Sequence, residues 1–259
     1  MDFEQFYQDK YPAGVPRNVD LDKYTSMVDV FDQAVKKFAE RPAFSAVGAT
    51  LTYKDLDTQS RNFAAWIQNR TDLKPGDRIA VQMPNVSQYP VIVFGAMRAG
   101  LIVVNTNPLY TTREMEHQFN DSGAKAIVVL ANMANNVEKV LPHTGIEHVI
   151  VTEIADMHSP LKRTVMNAAV KHLKKMVPAY NLPQAHKLPA VLSAGSKEKF
   201  SPVECKKDDI AVLQYTGGTT GTETECTRFR PYDRGYHFNA LLLIDNIFHS
   251  AKDFLHLLG

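Results

Sequence analysis

Arg78-Ile79-Ala80-Val81-Gln82-Met83, closed by Pro84-Asn85, is the stretch on which the fold turns. It is short and apolar, and it leaves the turn Lys74-Pro75-Gly76-Asp77, as a buried strand does. Ser87 then opens a run of helical spacing to about Ala99, and residues 101–104 read as the next strand. Asn105-Thr106-Asn107-Pro108 is a loop, Thr112 caps a helix that runs through Asn120, and Gly123 stops it. Residues 125–130 form a strand, 132–141 a helix and 148–152 a strand again. Strands that alternate with helices of this length imply βαβ crossovers and a mainly parallel sheet. Ligands of such sheets sit outside the carboxyl ends of the strands.

Upstream of this unit, Ser26-Met27-Val28-Asp29 is a capping-box-like helix start with Asp in place of Glu. Apolar residues at 27, 30, 31, 34, 35 and 38 keep helical spacing, and Arg41-Pro42 closes the helix. Residues 43–47 and 50–53 predict two short strands joined at Gly48, and 55–69 the next helix. Downstream, Ile210-Ala211-Val212-Leu213 predicts a last buried strand, which runs into Gln214-Tyr215-Thr216-Gly217-Gly218-Thr219-Thr220-Gly221. Glycines let a main chain approach a phosphate closely. Successive N–H groups can then form an anion-binding nest. The same residues also suit an ordinary turn. The expected strand and its place at a carboxyl end favour the phosphate cradle. It is not a Walker loop, because no Gly-Lys-Ser/Thr follows at the required spacing.

The composition narrows the function classes. With 44% apolar and 22% charged residues in 259, the chain has the make-up of a soluble globular protein. A net charge of +1 gives no field that would draw nucleic acid. The Arg/aromatic mix at 228–236 has no wider basic face around it. Cys205 and Cys226 make no disulfide or metal pattern, and the nine histidines show no ligand spacing. No Gly-x-Ser-x-Gly nucleophile motif occurs. The first residues, Met1-Asp2-Phe3-Glu4-Gln5, lack the order of a signal peptide, and no apolar run nears the roughly 18–20 residues of a membrane span. The expected setting is cytoplasmic.

Several segments, taken in order, resemble the adenylate-forming acyl-CoA synthetases, and among them the bacterial long-chain fatty acid–CoA ligases. Leu51-Thr52-Tyr53-Lys54-Asp55-Leu56 is similar to an early signature of that family. Gly76-Asp77-Arg78-Ile79-Ala80 with Met83-Pro84-Asn85 resembles a second. Ala99-Gly100, Asn107-Pro108-Leu109-Tyr110-Thr111 and Glu114 resemble a third, and Tyr215 to Gly221 its ATP loop. The resemblance covers about residues 1–221. It implies part of a large N-terminal α/β domain, with a mainly parallel sheet flanked by helices. It also implies a two-step ligase that uses ATP, Mg²⁺ and coenzyme A on a fatty acid. Thr216, Gly217, Gly218, Thr219, Thr220 and Gly221 would hold the ATP phosphates, with the Thr216 hydroxyl on Mg²⁺ and Tyr215 packing at the strand end.

After Gly221 the resemblance stops. The family continues with lysine and glycine, whereas Thr222-Glu223-Thr224-Glu225-Cys226 stands here. Two carboxylates beside a phosphate repel it. No residue of the chain matches the family's adenylation lysine, its later acidic and ribose-binding residues, or its C-terminal domain, so no catalytic residue is assigned. The expectation is a truncated, inactive form with a replaced tail over 222–259, as a frameshift would leave, or else a divergent tail. Residues 239–258 of that tail carry a helical apolar pattern. A second kind of function rests on residues 161–177, where apolar positions interleave with Lys162, Arg163, Lys171, His172, Lys174 and Lys175. This predicts either a solvated basic helix or a peripheral contact with anionic lipid at the inner membrane.

Overall fold

The computed structural model describes residues 24–206, 208–216 and 225–229. Helix α1 (Met27–Phe38) starts at Ser26, whose Oγ accepts from the Asp29 N–H at 3.2 Å. The Asp29 carboxylate reaches back to the Thr25 N–H rather than to that of Ser26, so the expected box closes one residue early. Strands β1 (Pro42–Ala46) and β2 (Ala49–Thr52) form an antiparallel hairpin. Its two-residue turn holds Val47 at φ 53° and Gly48 at φ 75°. Helix α2 (Tyr53–Arg70) follows directly, with a full capping box between Thr52 and Asp55.

The central unit has the alternation expected. Strand β3 (Arg78–Gln82) leads to α3 (Gln88–Arg98), β4 (Ile102–Thr106), α4 (Thr112–Ser122) and β5 (Ala124–Leu130). A 3₁₀ turn (Ala131–Met133), helix α5 (Ala134–Val140) and β6 (His148–Thr152) come next. Thr111, not Thr112, caps α4: its hydroxyl oxygen accepts from the Glu114 N–H and the Glu114 carboxylate accepts from the Thr111 N–H. Gly123 ends α4 at φ 61°, a conformation few other residues adopt. The loop expected at 105–108 is shorter, because Asn105 and Thr106 belong to β4.

Beyond β6 come α6 (Pro160–Ala168), a π-helical turn (Ala169–Leu173), β7 (His186–Lys187), α7 (Leu188–Gly195) and β8 (Val212–Thr216). Residues 178–195, with prolines at 178, 183 and 189, hold a short strand and a helix, with Pro189 in the first turn of α7, where its missing N–H costs nothing. Strand β9 (Glu225–Phe229) pairs antiparallel to β8, with Thr216 opposite Glu225. The expected tail helix at 239–258 lies outside the described residues.

The main sheet has the order β7-β6-β5-β3-β4-β8-β9, and all its pairs are parallel except β8–β9. Alternate residues of β3, β4, β5, β6 and β8 enter two cores. Ile79, Val81, Val103 and Ile150 pack beneath α2, α3 and α7, while Ala80, Val104, Ile127 and Val149 pack against α4 and α5. This is the three-layer arrangement of a parallel sheet covered on both faces. Each fully buried Phe, such as Phe63 and Phe119, adds roughly 1.5–3 kcal/mol. Two glycines bring the helices of the first layer into backbone contact. A Cβ on Gly95 of α3 would lie 2.9 Å from the Ser60 carbonyl oxygen, and one on Gly195 of α7 would lie 1.9 Å from that of Asn62, both on α2.

Candidate phosphate-loop site

Strand β8 lies parallel to β4 in the register Val103–Val212, Val104–Leu213 and Asn105–Gln214. Its last residue, Thr216, is therefore on the same edge of the sheet as the carboxyl ends of β3, β4, β5 and β6. That edge is where a parallel sheet of this kind takes its ligands. Of the six residues expected to hold phosphate, Thr216 is described as the end of β8. Gly217, Gly218, Thr219, Thr220 and Gly221 lie outside the described residues. In the β8–β9 pair, Thr216 stands opposite Glu225.

A chain of polar side chains leads to this loop. The half-buried Tyr89 of α3 donates its hydroxyl to Asn105 Oδ1 at 2.7 Å, and Asn105 Nδ2 donates to Gln214 Oε1 at 2.8 Å. Burial pushes the Tyr89 hydroxyl well above the ordinary phenol range, so it stays a donor; its bond to Asn105 opposes that only in part. The three residues tie α3, β4 and β8 together two positions before the loop. Sequence reasoning missed them because it reads Asn105 as loop and Gln214 as the first residue of the Gly/Thr-rich stretch rather than as part of the strand. The available signal was a polar residue near the end of each of two apolar strands.

On the other face Tyr215 is buried, as expected of a packing residue, and its hydroxyl also donates to Asp121 Oδ2 of α4 at 2.5 Å. Gln118 of α4 donates to the Asn105 carbonyl at 2.9 Å, and Gln82 of β3 donates to that of Asn107 at 3.3 Å. The side-chain oxygens of both glutamines are buried with no partner among the described atoms. Two orphan acceptors at the carboxyl ends of β3 and β4 mark this edge as one that further donors would satisfy.

At the end of β6, Gln88 donates to the Glu153 carbonyl at 2.7 Å, and Asp156 accepts from the Thr152 hydroxyl and the Glu153 N–H. Burial raises the Asp156 carboxyl above the ordinary range, against the pull of those donors and of Asn167. A cavity of about 470 Å³ lies elsewhere. Gly100, Ile102, Ile210 and Ala211 line it, at the amino ends of β4 and β8, opposite the loop. Asp72, Glu147 and His148 also gather at the amino end of β6, with ligand atoms within 4.8 Å of one another. Sequence spacing did not show this triad because Asp72 lies far from the other two along the chain. His148 Nε2 is 2.7 Å from Asp72 Oδ1, and this bond holds the Asp72 carboxyl below its usual range.

A mainly parallel sheet covered on both faces by helices defines an α/β domain. The chain belongs to the AMP-binding enzyme family, whose model matches residues 31–223. Over 218 residues it is 48% identical to a long-chain-fatty-acid–CoA ligase of Escherichia coli O6:H1, covering 84% of this chain and 39% of that protein. The corresponding ligase of Haemophilus influenzae is 49% identical over the same shares. Among solved structures, a long-chain-fatty-acid–CoA ligase from Archaeoglobus fulgidus superposes with a TM-score of 0.64 at 25% identity, over 90% of this chain and 41% of that one. An anthranilate CoA ligase bound to anthranoyl-AMP superposes with a TM-score of 0.65 at 14% identity, over 82% and 36%, and shows the same fold. The chain thus spans about 39% of the length of the curated ligases it matches.

Proposed function

We propose that the chain carries the ATP-phosphate loop of an AMP-forming long-chain fatty acid–CoA ligase and works in the cytoplasm beside a membrane. The observation that supports this is the register of β8 on β4. It brings Thr216 to the ligand-bearing edge in a chain 48% identical to a named ligase. In the reaction a fatty acid carboxylate attacks the α-phosphate of ATP, giving acyl-adenylate and pyrophosphate. The thiol of coenzyme A then attacks the acyl carbonyl and AMP leaves. Two anions must meet in the first step, so fixed donors and cations at the phosphates lower the barrier. Gly217, Gly218, Thr219, Thr220 and Gly221 would supply N–H groups and hydroxyls to the phosphates.

Mg²⁺ would add charge neutralisation when bound. Thr216 ends β8 at the root of the loop and offers a hard oxygen of the type Mg²⁺ takes, alongside phosphate and water. Thr222 stands where the family has lysine, with Glu223 and Glu225 close behind. The loop therefore holds phosphate without the cation that adenylation needs, and residues 222–259 form a tail outside the family pattern. The expected outcome is ATP binding, measured by equilibrium dialysis, that Gly218→Asp weakens at least tenfold. ATP–pyrophosphate exchange with a long-chain fatty acid should be absent. Equal binding by Gly218→Asp refutes the phosphate loop, and exchange by the purified chain refutes its inactivity. A DNA sequence in which no single-base shift restores lysine and glycine after Gly221 refutes a frameshifted tail.

A further inference from the structure

Between Asp156 and Glu198 the chain has no acidic residue and seven lysines and arginines. The rest of the chain is left with 22 cations against 28 carboxylates, so the near-neutral total hides one basic segment. Exposure is concentrated in the same place. Of the five exposed large apolar side chains among the described residues, four lie within positions 161–176: Leu161 at 77%, Val165 at 62%, Leu173 at 81% and Met176 at 42%.

The backbone lines these side chains up. Residues 161 and 165 are one turn apart on α6. An α-helical row of every fourth residue drifts by ~40° per step, which would carry Leu173 away from the other two. The π turn at Ala169–Leu173 takes more than four residues per rotation and cancels most of that drift. The Lys174 N–H bonds the Ala169 carbonyl five residues back at 2.9 Å. Lys162, Lys171, Lys174 and Lys175 are exposed around the row.

The inner side of the segment is fixed. Buried Asn167 donates to Glu153 Oε2 at 3.1 Å and to Asp156 Oδ1 at 3.2 Å, and accepts from the Ala155 N–H at 3.0 Å. Asn132 donates to the Met176 carbonyl at 2.8 Å. A polar clamp below and an apolar row with a lysine rim above is a surface held in place to meet something.

We propose that the outward face of residues 161–176 docks on an anionic lipid bilayer, with Leu161, Val165 and Leu173 entering the acyl boundary and the lysines resting on headgroup phosphates. The chemistry of the face selects lipid over protein. Protein interfaces are rich in Tyr, Trp and Arg and poor in Lys. This stretch has no Phe, Tyr or Trp, and four of its five lysines and arginines are Lys. Leucines flanked by lysines are the make-up of helices that lie in the bilayer interface. The docking rests on the ligase reading only for its cargo, a fatty acid that partitions into bilayers.

The test is flotation of the full 259-residue chain with phosphatidylcholine vesicles, plain or carrying phosphatidylglycerol. The expected result is flotation with the anionic vesicles only, reversed by high salt. Each lysine near an anionic surface strengthens binding roughly fivefold. Joint replacement Lys171→Ala, Lys174→Ala and Lys175→Ala should therefore weaken it by about a hundredfold. Leu161→Ser with Leu173→Ser should also weaken it, while Lys36→Ala with Lys37→Ala, on exposed sites of α1, should leave it unchanged. A chain that stays at the bottom of every gradient overturns the proposal and leaves the face to a protein surface. Equal flotation with plain vesicles, or undiminished flotation of the triple variant, overturns it as well. Flotation needs no ATP, so a chain that floats but fails to bind ATP in dialysis sinks the phosphate-loop reading alone, and a chain that binds ATP but does not float sinks the docking alone.

Discussion

Arg98 offers a prediction whose sign depends on which partner of a buried ion pair is removed. It closes α3 with a side chain 1% exposed, and its Nη2 bonds both Asp32 of α1 and Asp57 of α2, the latter at 2.7 Å. The Phe31 ring lies 5.0 Å from the guanidinium carbon. Nε and Nη1 have no partner among the described atoms. Burial pushes the Arg98 pKa down, and Asp32 and Asp57 oppose that shift. The two carboxylates are differently placed: their side chains keep 35% and 22% exposure, and Arg61 Nε bonds Asp57 at 3.0 Å.

Replacing Arg98 by Met removes the only fully desolvated charge of the cluster and leaves two part-hydrated acids that both keep Arg61, at 3.0 Å from Asp57 and 3.8 Å from Asp32. The expected loss is about 1–2 kcal/mol. Asp32→Asn with Asp57→Asn leaves the guanidinium buried with neutral acceptors, and should cost about 3–5 kcal/mol. Urea unfolding followed by Trp66, the single tryptophan and a buried one, reads both changes as midpoint shifts. An Arg98→Met variant as damaged as the double carboxylate variant, or more so, refutes the reasoning. It would mean that the ion pair, and not the cost of stranding a buried cation, holds α1, α2 and α3 together.

Val47 carries the strained position of the β1–β2 turn, so Val47→Asn should raise stability by about 1 kcal/mol, seen as a higher melting temperature. Thr111→Ala should cost about 1 kcal/mol through the lost cap of α4. The Glu114 carboxyl, held low first by the Thr111 hydroxyl and then by its N–H, contributes stability above the unfolded value of 4.5 that is lost as pH falls through its lower folded value. The acid limb of a stability–pH curve should therefore be shallower in Thr111→Ala. Glu223→Lys changes the charge behind the phosphate loop by two units, and should tighten ATP binding about fivefold at low salt and less at high salt. Unchanged or salt-independent binding in dialysis would speak against a phosphate at 217–221.

Most of the sheet was legible because its strands are closed by residues with strong backbone preferences. Pro75-Gly76 before β3, Pro84-Asn85 after it, Gly100 before β4 and Gly123 before β5 each mark a boundary that the structure places within a residue or two. Core-facing alternation did the rest. The boundary errors have local causes. Thr111 and Thr112 are both competent caps, and the carboxylate of Glu114 chooses Thr111 by sitting three residues on, not two. Strand β7 is two residues long and α7 has only eight, too short for any periodicity to show.

The polar machinery at the ligand-bearing edge was not legible, for a different reason. Asn105 and Gln214 are separated by 109 positions and meet only because β4 and β8 pair in parallel. A crossover topology joins strands distant in sequence, so any contact between their ends is invisible until the strand order is known. The same pairing changes the meaning of the Gly/Thr loop. Read along the chain it is a cradle interrupted by acidic residues. With β9 antiparallel to β8, Thr216, the residue at which the proposed phosphate loop begins, is paired with an acidic residue, Glu225. On the proposed reading, the charges of Glu223 and Glu225 oppose a phosphate at 217–221, and Thr222, in the place of the family's lysine, supplies no cation to offset them.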